Sequence, residues 1–213
     1  MRPPDSWKSA RLTLAIAIVT SAAWAIPTFF GYETLVALWG GFIPARLWGT
    51  VPPFPTAPLV LTPLTATLVH AGFIHIFFNM LMLLFCGRPV EAILGTRGFA
   101  ILYIVGAYAA AGVHYLAGPH QLQPMVGASG AISAVLGAYA LLFGRNKVRV
   151  RNPAAATLLH ALWLFAAWTI LNLLVGLTIE VDGARIAVAA HIGGFLAGLA
   201  LARPLLLLKW RGA

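Results

Sequence analysis

Residues 124–143 read PMVGASGAISAVLGAYALLF, a run without a single charged side chain. Its length matches the ~20 residues that carry a helix across the hydrocarbon core of a bilayer. Ser129 sits inside it, between Gly127 and Gly130. Polar groups in lipid are costly enough that one is read first as a functional candidate. Gly130, Ala134 and Ala138 add a stripe of small residues at spacing four, a pattern that lets two membrane helices approach closely.

The rest of the chain has the same character. Of 213 residues, 61% are hydrophobic and 9% charged, and the mean hydropathy is +0.89. A soluble domain carries about 25% charged residues. The expected fold is therefore an all-α membrane protein, one six-transmembrane-helix bundle. Spans are expected at 12–30, 70–87, 98–117, 124–143, 154–177 and 184–202. A short segment 1–11 precedes the 12–202 bundle domain and 203–213 follows it. The first span follows Arg2, Lys8 and Arg11 and resembles a signal peptide. Its apolar run is long and Ala22-Ala23-Trp24-Ala25 is a weak cleavage site, so it is read as uncleaved. Residues 31–69 are long for a loop yet rich in Leu, Trp, Phe and Pro. Leu35-Val36-Ala37-Leu38-Trp39 and Leu47-Trp48 suggest a segment lying in the outer interface, or packed on the bundle.

The net charge of +9 does not point to nucleic acid, because Lys and Arg gather at span ends with no aromatic-basic groove pattern. Twelve of them fall on one side, and only Arg46 and Arg185 on the other. That asymmetry places both termini in the cytoplasm. The run from Arg145 to Arg151 reads as a topology anchor. Cys86 is the only cysteine, which leaves no intramolecular disulfide and no cysteine metal cluster.

Two further spans carry polar groups. One holds Ala190-His191-Ile192-Gly193-Gly194, the other His75-Ile76-Phe77-Phe78-Asn79. In the drawn spans Ser129, His191, His75 and Asn79 lie about 8–14 Å below the outer ends by helical rise. Ala190, Gly194, Gly198 and Ala202 form a second small stripe, so close packing on 124–143 could bring His191 to Ser129. A histidine there could take the proton that a neutral serine cannot lose unaided. His75 and Asn79, four apart, share one helix face and could donate to an oxyanion. Each group also has a structural reading: Ser129 as a packing residue, His75 and Asn79 as hydrogen-bonding links between helices. Asp5, Glu33, Glu91, Glu180 and Asp182 all lie outside the span cores, which favours a Ser–His dyad over a triad. The motif is not the Gly-x-Ser-x-Gly elbow of soluble α/β-hydrolases, which needs a preceding strand. His70 is read as bracing the long loop, His114 and His120 as flanking a connection, and His160 as cytoplasmic. No metal and no cofactor is expected.

The three motifs resemble the rhomboid intramembrane serine proteases. The match runs over about residues 60–202: His70-x4-His75-x3-Asn79, then Gly127-Ala128-Ser129-Gly130, then Ala190-His191-x2-Gly194-x3-Gly198. The resemblance implies a six-helix core, Ser129 as nucleophile and His191 as general base. It assigns the oxyanion hole to His75, Asn79 and the Ser129 backbone N–H. It gives Glu91 a supporting role at the cytoplasmic end of spans 2 and 3, and Phe78 a place in a substrate gate between spans 2 and 5. It implies cleavage of transmembrane protein substrates within the lipid bilayer, near the outer leaflet. Its setting would be a bacterial inner membrane. Two positions depart from the family. Leu61 and Thr62 stand where many members carry Trp-Arg, which puts the loop's anchoring in question. Ser133 stands where many carry an aromatic that packs on the catalytic histidine. A rhomboid-like protein that binds membrane segments without cutting them, and a small membrane transporter, are the alternatives.

Overall fold

In lipid every backbone N–H and C=O must be satisfied within its own segment, so long apolar runs become helices. The computed structural model follows that rule; it describes residues 10–144, 150, 152–178, 180–181, 184–185 and 187–211. Arg2, Asp5, Lys8, Asp182 and the basic residues Arg145, Lys147, Arg149 and Arg151 lie outside the described residues. The helices are α1 (Arg11–Phe30), α2 (Glu33–Gly40), α3 (Thr62–Thr65), α4 (Phe73–Met82), α5 (Arg88–Ala117), α6 (Ser129–Phe143), α7 (Pro153–Thr178) and α8 (Val188–Arg211). Between α7 and α8 lies a short antiparallel ladder, β1 (Glu180–Val181) and β2 (Ala184–Arg185). Among the described residues, four helical stretches are long and apolar enough to cross a membrane: Arg11–Phe30, Phe73–Ala117, Pro153–Leu171 and Val188–Lys209.

Several expected span ends are corrected. A π-helical turn, Leu83–Gly87, joins α4 to α5, so the helix continues past the expected end at Gly87. It breaks at Gly95, whose φ of 74° and ψ of 165° are not helical. Hydropathy ended the span early because it counts Arg88 and Glu91 against the membrane. Glu91 is instead fully buried. Its carboxylate accepts the N–H groups of Leu12 at 2.9 Å and Thr13 at 2.7 Å, and the Thr13 hydroxyl at 2.7 Å. These are orphan donors at the start of α1, so the anion both satisfies them and faces the positive end of the helix dipole. Thr96 adds a hydroxyl donor at 3.3 Å from across the Gly95 break.

The 124–143 segment is helical only from Ser129, because Gly127 adopts φ 113° and residues 124–128 run irregularly. The last helix starts at Val188 rather than 184 and runs through Arg203 to Arg211 rather than ending at 202. Its C-terminal extension is held by polar contacts that hydropathy cannot register. Arg203 Nη2 donates to Thr157 Oγ1 at 2.6 Å, and Lys209 Nζ donates to the carbonyls of Ile93 at 2.8 Å and Ala92 at 3.2 Å.

The small stripes meet as their spacing suggested. A Cβ on Gly194 would overlap the Gly130 carbonyl, and one on Gly198 the Ala134 carbonyl. With α5, which meets Gly130 through Ala110, α6 and α8 enclose a core containing Phe99, Leu102, Ala131 and Val135.

The 31–69 connection folds onto the bundle without Trp-Arg. Arg46 Nη2 donates to the Ala57 carbonyl at 3.1 Å, Thr65 Oγ1 to Gly40 at 2.6 Å, and the Tyr108 hydroxyl to Val60 at 2.8 Å. Thr62, at the expected arginine position, only closes its own turn on Leu59.

Glu91→Ala should lower folding stability by about 2–4 kcal/mol, because it orphans buried donors that face a charged acceptor. Thermal unfolding in detergent measures this, and an unchanged midpoint would remove Glu91 from the framework.

Candidate active site

The site forms where the first turns of α6 and α8 meet. Gly127 turns the chain into α6, so Ser129 is its first helical residue and its N–H is one of the free donors of a helix start. His191 lies in the first turn of α8, its own N–H bonded to Ala187 at 3.2 Å. Both residues are thus at helix starts, not a helical depth below them as drawn from the sequence. The glycine contacts beneath bring the two together, and His191 Nε2 lies 2.7 Å from Ser129 Oγ.

His75 approaches from α4. Its Nδ1 accepts the Ala71 N–H at 3.4 Å, which leaves the proton on Nε2. That Nε2 faces Gly127: a Cβ there would stand 2.7 Å from it and 3.7 Å from Ser129 Oγ. Gly127 is therefore required twice, by its left-handed φ and by the imidazole against it. The empty spot it leaves is bordered by the serine oxygen and by an N–H donor.

Asn79 is buried one turn along α4, and its amide nitrogen donates to the His75 carbonyl at 2.8 Å. One amide hydrogen remains for another acceptor. His70 packs its ring edge-on to His75, with centroids 4.9 Å apart, and its Nε2 accepts the Ala128 N–H at 3.4 Å. It braces the residue before the serine.

The 121–127 segment is stitched in place by backbone bonds. Phe42 and Met125 exchange N–H···O bonds of 3.0 and 2.8 Å, Ala45 donates to Gln121 at 3.1 Å, and Gly127 donates to Ala66 at 2.9 Å.

Other candidates fall elsewhere. Phe78 is 56% exposed on the outer face of α4, edge-on to Phe77. Ser133 is buried at the α6–α8 crossing, its Cβ 3.2 Å from where a Gly194 Cβ would be. His120 lies against Trp48, and buried His160 sits in α7 beside Gly144, both away from Ser129. Sequence reasoning missed Ala71, whose N–H sets the His75 tautomer; a backbone donor leaves no mark in residue type. It also missed Arg46, whose bond to the Ala57 carbonyl closes the 31–69 connection on itself. The available signal was a lone arginine inside an apolar connection.

The fold and the site together define a helical membrane protein with a serine–histidine pair beneath one face. The chain belongs to the rhomboid family: the family model for the Rhomboid domain matches residues 59–208. It is accordingly an integral membrane protein. It is 27% identical to Rhomboid protease GlpG of Pectobacterium atrosepticum, over 92% of this chain and 63% of that protein. It is 33% identical to RHOMBOID-like protein 5 of Arabidopsis thaliana, over 65% of this chain and 42% of that one. With mouse Rhomboid-related protein 2 the identity is 31%, over 63% and 44%. The chain thus spans less than two thirds of the length of these relatives.

Gly127→Ala should destabilise the protein by about 1–3 kcal/mol, since the substitution forces a left-handed φ and a clash with His75. Thermal unfolding of the purified variant checks this; a neutral result would mean the 124–128 turn relaxes freely.

Proposed function

We propose that the chain is an intramembrane serine endopeptidase that cuts transmembrane segments of other membrane proteins. The observation that carries this reading is the 2.7 Å contact between His191 Nε2 and Ser129 Oγ. Membership of the rhomboid family, with relatives named as proteases, supports it.

In this reading His191 takes the Ser129 proton as Oγ attacks the scissile carbonyl carbon. The carbonyl oxygen becomes an anion received by the Ser129 N–H, His75 Nε2–H and the free Asn79 amide hydrogen. His191 then passes the proton to the leaving amine. Water hydrolyses the Ser129 ester that remains. A transmembrane helix hides its carbonyls in its own hydrogen bonds, so the substrate must unwind locally before attack. Small residues at the cut and weak helix formers beside it suit that requirement.

The reading has six spans: it divides Phe73–Ala117 at Gly95 and counts the shorter apolar helix Ser129–Phe143 as a central span, beside the three other long apolar helices. The 12-to-2 distribution of Lys and Arg argues for both termini in the cytoplasm, and the likeness to a bacterial relative supports a bacterial inner membrane as the setting. The site then lies under the outer leaflet, the 31–69 connection lies in the outer interface, and cleavage falls near the outer end of the substrate helix. Exposed Phe78 on α4 is assigned to the substrate gate.

Ser129→Ala and His191→Ala should each abolish cleavage of a model transmembrane substrate while leaving a folded protein. The double variant should be little worse than either single one, because the pair acts as a unit. Full activity in Ser129→Ala would end the serine-protease reading. Asn79→Ala should lower kcat by about 10²-fold with KM nearly unchanged, as loss of one oxyanion donor does. A rise in KM alone would make Asn79 a substrate-positioning group instead.

A further inference from the structure

Arg46 is the one cation of the 31–69 connection. Its Nη2 donates to the Ala57 carbonyl at 3.1 Å, and its Nη1 is buried with no hydrogen-bond partner among the described residues. No carboxylate of the described residues is bonded to it. A guanidinium held half out of water without a counter-ion is costly, and an anion at its open edge offsets that cost.

The fold sets two ring donors beside it. Phe42 pairs antiparallel with Met125, and the Ala45 N–H bonds the Gln121 carbonyl at 3.1 Å. Arg46 and His120 are the next residues along these two stretches. The Trp48 ring meets the His120 ring, with centroids 5.2 Å apart. Both rings lie at the surface, and each can donate a ring N–H. The surface around them is apolar: Leu47 is 50% exposed, Trp48 61%, and Val51 and Trp39 are exposed as well. Trp39 belongs to the patch because its carbonyl accepts the Ala57 N–H at 2.8 Å, and the Ala57 carbonyl in turn holds Arg46. The occupant of such a surface has to offer an anion and hydrocarbon side by side. A phospholipid does, with its phosphodiester at the border of the acyl chains, the level at which tryptophan settles. A planar guanidinium takes two phosphate oxygens at once.

We propose that Arg46, Trp48 and His120 bind the phosphodiester of an outer-leaflet phospholipid, with Leu47, Val51 and Trp39 against its acyl chains. This rests on the orientation proposed above, which puts the 31–69 connection in the outer interface. The three donors come from two connections, so the lipid bridges them. It thereby fastens the 121–127 segment, which leads into the turn before Ser129, to the membrane surface.

The test uses the full chain in dodecyl maltoside, a detergent without phosphate. Native mass spectrometry follows the binding of dioctanoyl phosphatidylglycerol, of dioctanoylglycerol and of inorganic phosphate. The phospholipid should bind more tightly than either of the others, because only it supplies both the anion and the chains. Arg46→Gln should weaken its binding about tenfold, the worth of a charge-assisted hydrogen bond. His120→Phe keeps a ring against Trp48 and leaves the Arg46–Ala57 bond in place; it should weaken binding about threefold, the worth of a neutral one. The thermal midpoint of each variant is measured alongside, and if Arg46→Gln does not fold, His120→Phe decides alone. Equal binding of the phospholipid by the unmodified protein and the variants would overturn the site. So would equal binding of the phospholipid and dioctanoylglycerol, or of the phospholipid and inorganic phosphate. Intact lipid binding in Arg46→Gln, with KM raised only for peptides carrying an acidic residue beside the transmembrane helix, would give the cation to the substrate instead. Orientation is tested separately with Thr50→Cys, Cys86 being buried. A membrane-impermeant maleimide should label it from outside intact spheroplasts. Labelling only after lysis would overturn the orientation, and the outer-leaflet assignment with it, whatever the lipid binding shows.

Discussion

The contact on which the structure depends is the backbone approach of α6 and α8. Lipid tails are as apolar as leucine, so no hydrophobic force drives two helices together once they are in the bilayer. Tight packing has to do it, and here it is done by removing side chains. Gly194 rests on the Gly130 carbonyl and Gly198 on that of Ala134. Any side chain at these points would push the helices apart, and the serine and histidine one turn above would separate with them. The 2.7 Å contact is a consequence of glycine placement as much as of the two residues that make it.

The two ends of the bundle are built differently, and the difference serves the site. At one end the helices are tied by charged and polar contacts: Glu91 on the start of α1, Lys209 on the carbonyls before the Gly95 break, and Arg203 on α7. At the other end α6 begins abruptly after the irregular residues 124–128, which leaves helix-start N–H groups free beside the serine. That irregular chain is not loose. Residues 121–127 are held by backbone bonds to Phe42, Ala45 and Ala66, and His70 accepts the Ala128 N–H. Rigid support is what lets a polar group keep a fixed direction, and fixed direction is what oxyanion stabilisation requires.

Much of this was legible in the chain. The charge-free runs at 12–30 and 154–177 gave helices within a residue of their drawn limits, because length and hydropathy are properties of composition. The small stripes were legible as well, since spacing four on a helix fixes a face. The helix starts at Ser129 and Val188 were not, because hydropathy cannot see where an apolar chain stops being helical. The Gly95 break and the continuation to Arg211 escaped for a related reason. A charge that finds a partner across the fold stays inside or beside a span that a hydropathy scale would end.

The sequence by itself determined that this is a helical membrane protein, which residues could carry chemistry, and which helix faces could approach. Those follow from residue type and periodicity alone. Only the tertiary structure decided that Ser129 opens its helix, that His75 Nδ1 accepts the Ala71 N–H, and that Tyr108 bonds to the 31–69 connection. Each depends on a backbone angle or on a partner far along the chain. The Ser129–His191 pair spans 62 residues, and no local pattern specifies a contact at that separation.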